Sequence, residues 1–274
     1  MLGAIIGDTV GSIYEFNNIK TKEFTLFGDG VEFTDDSILT IATASWILNG
    51  GNVAHYYAQY AQEYPHPMGG YGGRFTAWAI TASRTGKVEP YNSCGNGSAM
   101  RVSPVGWAFN TEKDILEKAQ QSAECTHNHP EGIKGAQSTA LAIFMARQGK
   151  SKQEIKGTIE KKFGYDLSMP VEEIRQRYSW QGIDGSGNGE LCQDSVPQAI
   201  TCAIEAEDFE DAIRNAVSIG GDSDTIGCIA GGIAEAIYGI PAEIYEKGIS
   251  YLPEQLKNIV VAFEEKFGRR VLED

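Results

Sequence analysis

The chain has 274 residues, 42% of them hydrophobic, and 23 Lys and Arg against 37 Asp and Glu give a formal net charge of −14. That length can bury the core of one large or two modest domains, while the acidic balance excludes general nucleic-acid binding, which draws on Lys and Arg against phosphate. No apolar run approaches the roughly 18 residues a membrane span needs, and the first ten residues lack a basic leader and carry Asp8, so no membrane association and a cytoplasmic location are expected.

Helical periodicity runs through the sequence. Leu2, Ile5, Ile6, Val10 and Ile13 mark one face of an opening helix, and Gly7 and Gly11 put small residues where another backbone can approach. Glu15 falls near the end of this helix, where a surface glutamate is the simpler reading. Further helices are predicted at 37–48, 53–63, 74–83, 112–123, 132–147, 152–163, 196–206, 209–219 and 253–267, and Ile226, Ile229, Ile233 and Ile237 mark another. Strand alternation is hard to find, so the expected class is all-α. The polar stretch 178–194 comes nearest to a linker but does not divide the chain, which reads as one domain over 1–274. The 32 glycines gather between helices, in Met68-Gly69-Gly70-Tyr71-Gly72-Gly73, Cys94-Gly95-Asn96-Gly97 and Asp184-Gly185-Ser186-Gly187-Asn188-Gly189. Such loops can turn peptide N–H groups towards an anion or nucleotide, with plain tight turns as the alternative. Cys94, Cys125, Cys192, Cys202 and Cys228 are odd in number and form no C-x-x-C pair, which suits reduced thiols.

Two acidic clusters far apart in sequence stand out: Thr34-Asp35-Asp36 and Asp222-Ser223-Asp224-Thr225. Neighbouring carboxylates repel, and burying several of them calls for a cation. Carboxylate and hydroxyl oxygens are hard donors that suit magnesium, manganese or calcium. Helix capping is the competing reading, because Thr34 and Asp222 both precede apolar periodic segments. Gly95-Asn96-Gly97-Ser98-Ala99-Met100-Arg101 joins a permissive loop to a helix start, a place that favours phosphate, although Arg101 can also be read as a structural arginine paired with an Asp. Cys125-Thr126-His127-Asn128-His129-Pro130-Glu131 invites a zinc reading, but its spacing does not match the usual ligand geometries and no fourth ligand follows. A histidine that binds phosphate or sugar fits better.

Taken together, Gly3-Ala4-Ile5-Ile6-Gly7-Asp8, Phe33-Thr34-Asp35-Asp36-Ser37, the 95–101 turn, Thr126-His127 with Gly135-Ala136, and Gly220-Gly221-Asp222-Ser223-Asp224-Thr225 resemble the ADP-ribosylglycohydrolase family in its motif order. The resemblance implies an all-α orthogonal helical bundle with two Mg2+ or Mn2+ ions in a cleft, held by Thr34, Asp35, Asp36, Asp222, Asp224 and Thr225. It implies that Glu15 is a flap glutamate over the metals, mildly favouring an O-linked substrate. Gly70, Tyr71 and Gly72 would meet the ribose and phosphates, Gly97, Ser98 and Met100 would form the diphosphate turn, and His127 would contact the ligand.

The activity so implied is metal-dependent hydrolysis of the glycosidic bond between ADP-ribose and a protein or small-molecule acceptor. Such a site must orient the sugar, activate water and assist the leaving group. Asp35 or Asp36 is the candidate proton acceptor, and Glu15 the candidate for positioning water or leaving group. Two other readings are an inactive ADP-ribose-binding protein and a metal-dependent nucleotide phosphohydrolase. The acceptor side is expected from residues 15–30 and 178–194.

Overall fold

The computed structural model describes residues 1–185 and 187–272; Ser186 of the third glycine-rich loop and residues 273–274 lie outside the described residues. Helix α1, Leu2–Gly11, ends in a 3-10 turn at Ser12–Tyr14, and a long loop leads to α2, Asp35–Asn49. The chain continues through α3 (Val53–Glu63), α4 (Gly73–Thr85), α5 (Gly97–Met100), α6 (Ser103–Ala108), α7 (Glu112–Glu124), α8 (Pro130–Arg147) and α9 (Lys152–Phe163). The remaining helices are α10 (Val171–Arg177), α11 (Cys192–Glu205), α12 (Phe209–Ser218), α13 (Ser223–Tyr238), α14 (Ala242–Ile249) and α15 (Glu254–Phe267). Two parallel two-residue strands, β1 (Ile240–Pro241) and β2 (Val271–Leu272), are the named strands among the described residues. The all-α expectation therefore holds.

At the centre α1 lies against α13, and every residue of α1 is buried. Glycine makes this approach possible. A Cβ built on Gly3 would stand 2.4 Å from the Gly231 carbonyl oxygen, and one on Gly7 would stand 1.9 Å from that of Gly227. A Cβ on Gly11 would meet the Ser223 carbonyl oxygen at 2.5 Å. Because the partner number falls as the α1 number rises, the helices are antiparallel, and the end of α1 sits beside the start of α13. The carbonyl-to-Cβ distances are well inside van der Waals contact, so no side chain fits along this seam.

The same helix fixes the start of α2. The Asp8 carboxylate accepts from the Thr34 N–H at 2.9 Å, the Thr34 hydroxyl at 2.6 Å, and both the N–H and hydroxyl of Ser37. One buried carboxylate on α1 thereby satisfies donors that a helix N-terminus would otherwise leave orphaned. The beginnings of α2 and α13 converge because each is seated on α1.

Several boundaries differ from the sequence reading for identifiable reasons. Helix α11 begins at Cys192, ahead of the predicted 196, and carries Pro197 inside it. Pro197 is the sixth residue of the helix, so it gives up the N–H that would bond the Gln193 carbonyl, and α11 runs through it one backbone bond short. The short α6, α10 and α14 were not predicted; each is too brief to repeat an apolar face more than twice.

Candidate active site

A cleft of about 450 Å³ opens where the starts of α2 and α13 meet the 69–73 loop, the 95–97 turn and the 180–190 loop. Asp35, Asp36, Asp222, Asp224, Thr225, Glu15, Gly70, Tyr71, Gly72, Gly97, Met100 and His127 all line it. Thr34 and Ser98 do not. Thr34 Oγ1 donates to Asp8 and accepts from the Asp36 N–H at 3.2 Å, so it caps α2 one layer below the wall. Ser98 Oγ donates to the Gly132 carbonyl at 2.7 Å and holds the turn from behind.

The acidic clusters meet here. Carboxylate oxygens of Glu15, Asp222 and Asp224 come within 4.8 Å of one another, and Asp35 and Asp36 line the same cleft. Glu15 is half-buried rather than a free surface residue. Capping accounts for Thr34 but not for Asp222, which makes no side-chain capping bond to α13; Asp222 Oδ2 instead accepts from Asn96 Nδ2 at 2.7 Å.

Burial and mutual repulsion govern these acids. Burial first, then the charges of Asp222, Asp8 and Glu190, pushes Glu15 up to about 8. Asp35, Asp36 and Asp224 are held well above the usual carboxylate range, by burial and then by neighbouring acids. Burial raises Asp8 to about 6 despite its hydrogen bonds from Ser37 and Thr34. Asp36 Oδ2 and Asp224 Oδ1 are buried with no hydrogen-bond partner. Such orphaned oxygens cost several kcal/mol by order of magnitude when ionised. No ion pair to these acids occurs among the described residues. Hard oxygen donors, unpaired and converging, fit a divalent cation such as magnesium or manganese.

Two arginines, Arg74 and Arg101, also line the cleft. Arg74 lies over the Tyr91 ring at 4.9 Å, and the Tyr91 and His127 rings are 5.9 Å apart. His127 Nδ1 pairs with Thr126 Oγ1 at 2.8 Å, and the same hydroxyl accepts from Arg101 Nη2 at 2.8 Å. Burial, with the charges of Arg101 and Arg74, holds the His127 pKa well below its ordinary value, so the ring is neutral. Arg101 is fully buried over Tyr57 and bonds Ser122 and Thr126 rather than an Asp. The zinc reading finds no support in this geometry: Cys125 donates to the Ser122 carbonyl, while His129 Nδ1 caps α8.

Sequence reasoning did not single out Phe16, Arg74, Tyr91, Trp180 or Glu190, all of which line the cleft. Asn96 was visible inside the 95–101 motif without a role. Glu190 and Trp180 lie in the polar stretch already read as shaping the acceptor region. An antiparallel bridge between Gly95 and Leu191, with Asn96 N–H donating to the Glu190 carbonyl at 2.8 Å, ties that stretch to the turn.

Residues 1–270 match the family model described as ADP-ribosylglycohydrolase. The chain is 27% identical to ADP-ribosylhydrolase ARH3 of Mus musculus, over 97% of this chain and 87% of the relative. It is 28% identical to the Homo sapiens protein of the same name, over 88% and 84%. A solved structure described as an ADP-ribosylglycohydrolase-related protein complex superposes with a TM-score of 0.70 at 22% identity, covering 97% of this chain and 96% of that one. That likeness bears on the fold.

Proposed function

We propose, from the premise that the chain belongs to the ADP-ribosylglycohydrolase family, whose members hydrolyse ADP-ribose linkages, that it is a magnesium- or manganese-dependent hydrolase releasing ADP-ribose from a protein or small-molecule conjugate. The observation that carries this reading is the convergence of Glu15, Asp222 and Asp224 within 4.8 Å, with orphaned oxygens on Asp36 and Asp224, in a cleft that Arg74 and His127 also line.

Asp35, Asp36, Asp222, Asp224 and Thr225 would hold two cations, Thr34 completing the set or fixing its neighbours from below. Bound there, the ions would orient the ribose hydroxyls and make water easier to deprotonate. The chain's own groups do the rest. The Gly70–Gly72 loop and the Gly97–Met100 turn accept the ribose and diphosphate, with Ser98 bracing the turn through Gly132. His127, neutral and fixed by Thr126, offers Nε2 to the ligand, and Arg74 supplies positive charge for the phosphates. Asp35 or Asp36 takes the proton of the attacking water at a carboxylate oxygen, and Glu15 orients the leaving group. One domain over residues 1–274 and a cytoplasmic setting accompany the proposal; free cysteines favour that setting.

The test is product analysis on ADP-ribose conjugates with magnesium, with manganese and with chelator. Ion-dependent appearance of free ADP-ribose is expected. AMP or inorganic phosphate as product would replace this reading with phosphoester chemistry, and tight ADP-ribose binding without any turnover would replace it with a binding protein.

A further inference from the structure

The segment after α1 carries Glu15 to the cleft, and the turn before α13 carries Asp222 to it. The exposed side chain of Asn18 bridges these two stretches of backbone. Its Nδ2 donates to the Tyr14 carbonyl at 2.7 Å, the Glu15 carbonyl at 3.0 Å and the Gly221 carbonyl at 2.8 Å. Its Oδ1 accepts from the Gly221 N–H at 2.8 Å. One amide therefore takes both backbone polar groups of Gly221 and the carbonyls on either side of the Glu15 Cα. No other short side chain supplies two N–H groups and an oxygen together.

The turn that Asn18 grips is made of glycine. Gly220 and Gly221 have φ of +73° and +71°, and a Cβ on Gly221 would stand 2.5 Å from Tyr178 Cε1. Such a pair has no side chains to fix its path, so the direction of Asp222, next in the chain, depends on what holds the backbone before it. Lys20 Nζ donates to the Ile219 carbonyl on the far side of the pair, and Trp180 Nε1 adds a second donor to the Glu15 carbonyl at 3.2 Å.

The consequence falls on the acids. Carboxylate oxygens of Glu15, Asp222 and Asp224 lie within 4.8 Å of one another, where like charges repel. No ion pair to the Glu15 carboxylate occurs among the described residues, so its approach to Asp222 is imposed by the backbone beneath it. Asn18 itself does not line the cleft.

We propose that Asn18 is a positioning residue of the candidate ion site: by gripping the backbone of Glu15 and Gly221 together, it sets the Glu15 carboxylate against Asp222 and Asp224, where its oxygen joins the donors that meet a cation. Asn18 acts through Glu15 and takes no part in the chemistry. The inference rests on the glycohydrolase reading, which makes these acids an ion site.

The test is calorimetric titration of magnesium and of manganese into the chelator-stripped native protein, Asn18→Ala, Asn18→Asp, Glu15→Gln and the double variant of Asn18→Ala with Glu15→Gln. Both Asn18 variants are expected to lose about tenfold in ion affinity, the usual scale for removing a group that orients a ligand. Asn18→Asp keeps the shape but sets an oxygen against three carbonyls, and its added negative charge would by itself tighten cation binding, so a loss there reports geometry. Asn18 is exposed, so both variants should fold. In the Glu15→Gln background Asn18→Ala is expected to change affinity by less than about twofold, since nothing is left for it to act through. Native affinity in both Asn18 variants would overturn the proposal. So would a tenfold loss that persists in the Glu15→Gln background, the result a merely structural clamp would give. Failure of the parent reading shows in the native protein alone, as ion uptake without release of ADP-ribose from any conjugate, and the affinity ratios that judge Asn18 are read without turnover.

Discussion

The carboxylate of Asp8 accepts both the N–H and the hydroxyl of Thr34, at 2.9 and 2.6 Å, and so locks the first turn of α2 onto the middle of α1. Thr34 in turn accepts from the Asp36 N–H, which sets the direction of a cleft carboxylate. Asp8 thus acts on the site from underneath. Asp8→Ala would leave the buried donors of Thr34 and Ser37 unpaired, and a stability loss of about 2–4 kcal/mol is expected. Urea unfolding in chelator measures it, and a loss below about 1 kcal/mol would show that the donors find other partners.

The α1–α13 seam predicts a contrast between two glycines. Gly7→Ala would drive a methyl group to 1.9 Å from the Gly227 carbonyl oxygen, so the helices must separate. A cost of about 3 kcal/mol or more is expected, with loss of the ion site at its edge. Gly157 in α9 has open space around it and an ordinary helical conformation, so Gly157→Ala should instead stabilise by about 0.5–1 kcal/mol. Thermal unfolding of both variants tests the contrast; a tolerated Gly7→Ala would mean the seam is softer than its geometry.

Asp224→Asn separates function from stability. The Asp224 carboxylate is buried beside Asp222 and Asp36, and its Oδ1 has no partner. Turnover is expected to fall by on the order of a hundredfold or more, as for loss of a group that holds or orients an ion. In chelator the same variant should be no less stable than the native protein, since it removes a repelled, unpaired acid. Full activity in the variant would remove Asp224 from the ion site. A large loss of stability in chelator would give it a structural role.

The ion-induced rise in melting temperature should grow with pH. An acid with a raised folded pKa binds more protons folded than unfolded, so its contribution is complete below its unfolded value, near 4. It is lost as pH climbs through the folded value, about 6 for Asp8 and about 8 for Glu15. The stripped protein is therefore penalised by these acids between about pH 4 and 8, while a bound cation compensates the ionised form and displaces protons. Scanning calorimetry at pH 5.5 and 8.0, with and without saturating magnesium or manganese, checks the sign. A larger rise at pH 5.5 would mean that protonation of these acids does not compete with the ion.

What could be read in the sequence was chemistry carried by contiguous residues. Thr34-Asp35-Asp36 and Asp222-Ser223-Asp224-Thr225 declared themselves because several acids in small surroundings are hard to explain otherwise, and the longer helices declared themselves through repeated apolar faces. What could not be read was depth. Thr34 and Ser98 belong to the right motifs yet lie beneath the cleft wall, because the same short stretch both lines and supports the site. Single residues outside the motifs also escaped notice: Arg74 in the first turn of α4, Tyr91 on an irregular segment, and the Phe16 and Trp180 rings. No local pattern marks them, since their partners are set by tertiary packing. The Asp8 carboxylate was visible as a residue, but its reach to α2 depends on how the helices cross.

The glycine seam also sets when the molecule can become active. Gly7 and Gly227 are about 220 positions apart, so their contact is among the slowest kinds to form. During synthesis α1 emerges early, with apolar residues that are all buried in the finished protein, and must wait for α13 to cover them. At about 5–20 residues per second that delay lasts on the order of ten seconds or more. A ribosome-bound chain that stops short of α13 would therefore hold an uncovered apolar helix, a target for chaperones, and would lack the second half of its acidic cleft.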